Sequence, residues 1–251
     1  MSARPGAEAD HLSVPTPPAP PPEPSALPPL GGDWLVKLPL EGFGDAAVSV
    51  PLGAREPRSI VIGVHGRGDR PEWACGEWRG ITEAHPFILC PHGTPVKASP
   101  GQGLAFQGAE LTLREIDAGL AAMKARFGRY VAEGPMVYAG FSLGAFLGVH
   151  LVAGDPARFP IAVLGEGGYS WTADQAARFA RGGGKRVLFV CSTGACNASA
   201  SPLVALLRRA GLEAKMVSAG NIGHLVDDRI VQKVRAEWAW VLGGDGARAA
   251  D

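Results

Sequence analysis

The sequence predicts an α/β protein in which a mostly parallel sheet carries helices on both faces. Three observations lead there. Short apolar runs alternate with helix-period segments through the middle of the chain, as in repeated strand–helix–strand units. The runs show little polar–apolar alternation, which fits strands buried on both faces. And 251 residues with 46% hydrophobic and 19% charged side chains suffice for a sizeable core.

The elements follow in order. Ser59–Val64 (S-I-V-I-G-V) is the first apolar run and ends in His65-Gly66. Phe87–Cys90 is the second, closed by Pro91. Leu111–Phe127 reads as a helix, because Ile116, Leu120, Met123 and Phe127 step by four, three and four, and Gly128 stands at the C-cap. Met136–Ala139 is a strand running into Gly140. Ala145–Val152 reads as a helix stopped by Asp155-Pro156. Ile161–Leu164 and Arg186–Val190 are strands. A helix is expected over Pro202–Ala210, with proline at its start and Gly211 past its end. Ala214–Ser218 is a last short strand. Val226–Leu242 is a final helix, with Ile230, Val234, Trp238 and Val241 stepping by four, four and three. Right-handed crossovers then place helices on both sides of the sheet.

Ahead of this lies a different kind of segment. Nine of the fifteen residues from Pro15 to Pro29 are proline. Such a stretch has few ladder donors and cannot continue a helix, so residues 1–30 read as an extended arm and 31–251 as the folded domain. Residues 1–10 hold Arg4, Glu8 and Asp10 and no apolar h-region, so no signal peptide is read there. The arm itself is read as a passive spacer that can tether the domain, with an SH3-like ligand role as the alternative.

Charge and cysteine narrow the function classes. Lys plus Arg and Asp plus Glu both number 24, so there is no basic excess for nucleic acid. No apolar run has the roughly 18–20 residues of a membrane span. Cys75, Cys90, Cys191 and Cys196 lack the spacing of a zinc site. Two local bridges, Cys75–Cys90 and Cys191–Cys196, are the simplest pairing, and four free buried thiols the alternative. The first bridge closes a loop of about 15 residues, worth on the order of 3 kcal/mol in the loop-entropy model. Bridges imply an oxidising, extracytoplasmic compartment, whereas free thiols imply the cytoplasm.

The most specific motif is Gly140-Phe141-Ser142-Leu143-Gly144, set between a strand and a helix. That context is what a nucleophile elbow requires: a serine on a sharp turn, flanked by glycines whose missing β-carbons let strand and helix close up. The N–H of Leu143 then faces the reaction centre. A second oxyanion donor is expected from His65-Gly66-Arg67-Gly68-Asp69, with the N–H of Arg67 as that donor. A serine hydroxyl needs a base. Of six histidines, His224 in Asn221-Ile222-Gly223-His224 lies where a base belongs, after the last strand and before the last helix.

These motifs, in this order, resemble the α/β-hydrolase superfamily. The likeness spans about residues 58–242 and lies nearest the small single-domain esterases of the dienelactone-hydrolase, phospholipase/carboxylesterase and polyhydroxybutyrate-depolymerase-like groups. It implies a catalytic triad, and here the chain departs from the pattern. The family's usual acid follows the strand that is Arg186–Val190, yet Cys191-Ser192-Thr193-Gly194-Ala195-Cys196-Asn197 holds no carboxylate. Some relatives take the acid from the preceding strand, which makes Glu166 the candidate, ahead of Asp174. A serine–histidine dyad aided by Asn197, and a solvated Glu166 with no role, are the other readings.

The resemblance implies a serine hydrolase cleaving a small or lipid-like carboxylic ester through an acyl-enzyme, with no metal or organic cofactor. A catalytically inactive binding or interaction protein of the same fold, at the cell envelope, is the rival reading. Loops at the carboxyl ends of parallel strands gather around the site. Trp73, Phe106 and Tyr169 are therefore expected to line the substrate cleft.

Overall fold

A computed structural model describes residues 26–96 and 103–244. Its main sheet has eight strands: β1 (Leu35–Leu38), β2 (Ala46–Ser49), β3 (Ile60–Val64), β4 (Phe87–Cys90), β7 (Val137–Phe141), β8 (Ile161–Gly165), β9 (Arg186–Cys191) and β10 (Glu213–Ser218). A short hairpin, β5 (Thr94–Pro95) with β6 (Leu104–Ala105), stands apart. The helices are α1 (Pro71–Ile81), α2 (Ala109–Phe127), α3 (Leu143–Gly154), α4 (Ala173–Arg181), α5 (Gly194–Arg209) and α6 (Asp228–Leu242).

The spatial order is β1-β2-β4-β3-β7-β8-β9-β10. β1–β2 and β2–β4 pair antiparallel, and the remaining neighbours are parallel. The predicted class, a mostly parallel sheet between helix layers, is what the chain forms.

Strand residues divide by parity between two cores. Ile60, Ile62, Phe87, Leu89, Tyr138 and Phe189 face one side, together with Ile116, Met123, Val149 and Phe179 of α2, α3 and α4. Val61, Ile88, Ala139, Leu188 and Val190 face the other, where Trp78 of α1 and Ile230, Val234 and Val241 of α6 cover them. Both faces are buried, which is why the strands read as unbroken apolar runs.

Several boundaries differ from expectation. α5 begins at Gly194, and Pro202 sits inside it. The Thr193 side chain accepts from the Cys196 N–H and so caps the helix well before the proline. α6 begins at Asp228 because the Asp227 carboxylate takes the N–H groups of Arg229 and Ile230. β1, β2, α1 and α4 add to the elements expected above, and α4 opens on a capping box in which the Thr172 side chain accepts from the Gln175 N–H. The proline-rich stretch lies mostly outside the described residues. Its last part is tied down: Leu27 is buried, its N–H donates to Arg55, and the Tyr130 hydroxyl donates to the Pro28 carbonyl.

The four cysteines form Cys75–Cys90 and Cys191–Cys196. Among the described residues, no helix is long and apolar enough to cross a membrane.

Candidate active site

Ser142 lies between the end of β7 and the start of α3, at φ 50° and ψ −114°. That conformation is strained for a residue with a β-carbon. The flanking glycines make it possible. A Cβ on Gly140 would lie 2.6 Å from the Gly144 carbonyl carbon, and one on Gly144 would overlap the Val64 carbonyl. From beneath, the buried Tyr138 hydroxyl donates to the Gly144 carbonyl at 2.7 Å, and burial raises its pKa.

His224 arrives from the loop after β10. Its Nε2 lies 2.8 Å from Ser142 Oγ, although 82 residues separate the two in sequence. Its ring tilts over Phe141, with centroids 5.2 Å apart. Gly223, at φ 101°, lets the loop turn just ahead of it.

Glu166 follows β8 at φ 47° and is almost wholly buried. Its Oε2 lies 3.3 Å from His224 Nδ1. Oε1 accepts from the backbone N–H groups of Ser192 and Thr193, and Oε2 accepts from the Thr193 hydroxyl at 2.9 Å. A carboxylate is stable in so dry a place only when its lone pairs are met in this way. Ser142, His224 and Glu166 are therefore brought together in chain. The other acid candidate and the residue of the dyad alternative lie elsewhere. Asp174 sits in the first turn of α4. Asn197 Nδ2 donates to the Thr193 carbonyl within its own helix.

The segment holding Arg67 runs beside the elbow, and a Cβ on Gly66 would sit 3.2 Å from Ser142 Cβ. Neither the Arg67 nor the Leu143 N–H has an acceptor among the described residues. His65 anchors this loop from the core. Its Nδ1 lies 2.8 Å from the Gly66 carbonyl and its Nε2 3.0 Å from that of His92.

Ser142 and His224 open into a cleft of about 290 Å³ lined also by Arg67, Asp69, Trp73, Glu77 and Leu225. Of the three expected cleft aromatics, Trp73 is there, and it is well exposed. Phe106 is not. It is buried in the core and packs on the His65 ring at 4.6 Å, because the segment after β6 folds inward beneath the loop. Tyr169 also lies off this cleft, half-buried edge-on against Phe146 at 5.4 Å. Burial first, and then the Glu166 charge, raises its pKa.

Three further site residues escaped the sequence reading. Ser192 and Thr193 hold the Glu166 carboxylate, in a turn with no carboxylate of its own to draw notice. Glu77 reaches the cleft from α1. Burial, and secondarily Asp69, push its carboxyl up to about 7. The folded chain thus holds this proton more tightly than the unfolded chain, whose value is near 4.5. The unfolded state binds fewer protons between those values, so stability from this site falls as pH rises from about 4.5 to about 7. Glu77→Gln should remove that dependence, and its Tm should gain on wild type between about pH 5 and about pH 8. Melting curves with the same offset at both pH values would refute this.

Glu166, Cys191 and Cys196 lie close enough to suggest a metal site, but the two sulfurs are bonded to each other and offer no thiolate.

No protein-family model and no curated protein matches the sequence. Solved structures do. A chain assigned as a dienelactone hydrolase from Klebsiella pneumoniae subsp. pneumoniae superimposes with a TM-score of 0.63 at 16% identity, over 83% of this chain and 98% of that one. The Bacillus cereus carboxylesterase gives 0.56 at 18%, over 78% and 93%. Est1E from Butyrivibrio proteoclasticus gives 0.59 at 14%, over 84% and 99%. These likenesses cover nearly the whole of each partner, and the strand order and elbow described above agree with them: the chain has the α/β-hydrolase fold.

Proposed function

We propose that the protein is a serine hydrolase acting on carboxylic esters. The observation that carries this reading is the alignment of Ser142 Oγ, His224 and Glu166, at 2.8 Å and 3.3 Å on the two ring nitrogens. Names of the structural neighbours, a carboxylesterase among them, point the same way.

In this mechanism Ser142 Oγ attacks the ester carbonyl while His224 Nε2 takes its proton. Glu166 holds the tautomer with hydrogen on Nδ1 and stabilises the imidazolium that forms. The free N–H groups of Arg67 and Leu143 receive the oxyanion. His224 then protonates the departing alcohol, leaving an acyl group on Ser142. Water, deprotonated by the same nitrogen, releases the acid. Trp73 and Leu225 give the cleft an apolar wall for a small or lipid-like substrate.

The two disulfides support an oxidising, extracytoplasmic setting, with the proline-rich arm as tether. The test is a fluorophosphonate probe, which reacts with an activated serine. Wild type should label and Ser142→Ala should not. A wild-type protein that folds but never labels would favour the inactive binding protein.

A further inference from the structure

We propose that the bridged turn Cys191–Cys196 is a clamp that positions the catalytic acid and base against each other, with Thr193 as its central positioning residue. The proposal rests on the hydrolase reading above and says how its triad is held.

The clamp touches both partners. On the acid side, Ser192 N–H, Thr193 N–H and the Thr193 hydroxyl all donate to Glu166. The two backbone donors take Oε1, and the hydroxyl takes Oε2, the oxygen that faces His224. On the base side, Ser192 Oγ donates to the Gly223 carbonyl at 2.7 Å, one residue before His224. The Ile222 N–H donates back to the Ser192 carbonyl at 2.8 Å. Two adjacent residues therefore set the acid and the base loop in one register.

The Thr193 hydroxyl is itself fixed. One lone pair accepts from the Cys196 N–H at 3.1 Å, so its single proton is left for Glu166. Cys196 is bonded through sulfur to Cys191, the residue before Ser192. The bridge thus closes around the residues that make these contacts. It stands where the family pattern that the sequence resembles would carry the acid itself. A turn that supplies donors in place of a carboxylate lets the acid come from the neighbouring strand.

Thr193→Val keeps the shape and deletes the hydroxyl; Thr193→Ser restores it. Thr193→Val should lower kcat by about ten- to a hundredfold, the scale on which outer partners of site residues act, and leave KM within about twofold. Thr193→Ser should recover most of the loss. The double variant Cys191→Ala/Cys196→Ala should lose kcat at constant KM by a smaller factor, and it carries the test if Thr193→Val does not fold. Wild-type kcat in Thr193→Val, or equal losses in Thr193→Val and Thr193→Ser, would overturn the role of the hydroxyl. Unchanged kcat in the cysteine double variant would overturn that of the bridge. In both cases fluorophosphonate labelling of wild type keeps the hydrolase reading standing. A wild type that neither labels nor turns over esters removes that reading and the clamp with it.

Discussion

Glu166→Gln should lower kcat by about ten-thousandfold with little change in KM, the scale of loss when a triad acid becomes an amide. The size follows from where the new amide must point. Two backbone N–H groups converge on Oε1, so the glutamine oxygen will take that place. Its NH2 group is then turned toward the Thr193 hydroxyl and His224 Nδ1. A donor facing Nδ1 favours the tautomer with hydrogen on Nε2. That hydrogen would point at Ser142 Oγ, and the imidazole could no longer take the serine proton. Steady-state kinetics on any cleaved ester decides the matter. A rate within about threefold of wild type would remove Glu166 from the mechanism and leave a serine–histidine dyad.

That acid was only half legible in the sequence. The elbow could be read because its signal is local: five residues, a strand before and a helix after. His224 could be read because one histidine lies between the last strand and the last helix. The acid depends on how the ends of two neighbouring strands stand relative to each other. Gly165 pairs with Val190, and the Glu166 N–H donates to the Val190 carbonyl, so Glu166 lies beside the turn after β9. No residue in either segment announces that register.

Other misses have similar causes. Phe106 follows a strand of two residues, and sequence alone does not say whether such a segment folds over the cleft or under it. α1 carries two glycines and a mixed face, yet a disulfide from Cys75 to β4 and the packing of Trp78 hold it to the sheet. β1 is interrupted by Lys37 and β2 is built mostly of small residues, so neither shows the unbroken run of large apolar side chains that marks β4, a strand of the same length. The inner strands were legible as unbroken apolar runs, and α2 and α6 because a buried face repeats often enough along them.

Gly144→Ala should be a severely damaging single-methyl change, costing more than about 4 kcal/mol or preventing accumulation of folded protein. Its new Cβ would overlap the Val64 carbonyl oxygen and lie 3.0 Å from that of His65. Both obstacles are backbone, so no rotamer change relieves them. Val64 ends β3 and pairs with Gly140 of β7, which leaves β3 little room to retreat. If α3 shifts instead, Ser142 and the Leu143 N–H move away from Arg67, and the two N–H groups proposed as oxyanion donors no longer share a focus. Any molecules that fold should therefore turn over at least about a hundredfold more slowly, the loss seen when one such donor is removed. Gly154 in the same helix supplies the control. A Cβ there meets nothing within 4 Å, so Gly154→Ala should leave the urea midpoint and kcat near wild type. Similar midpoints for the two variants would mean that the contact between the elbow and β3 is not what holds Ser142 in place.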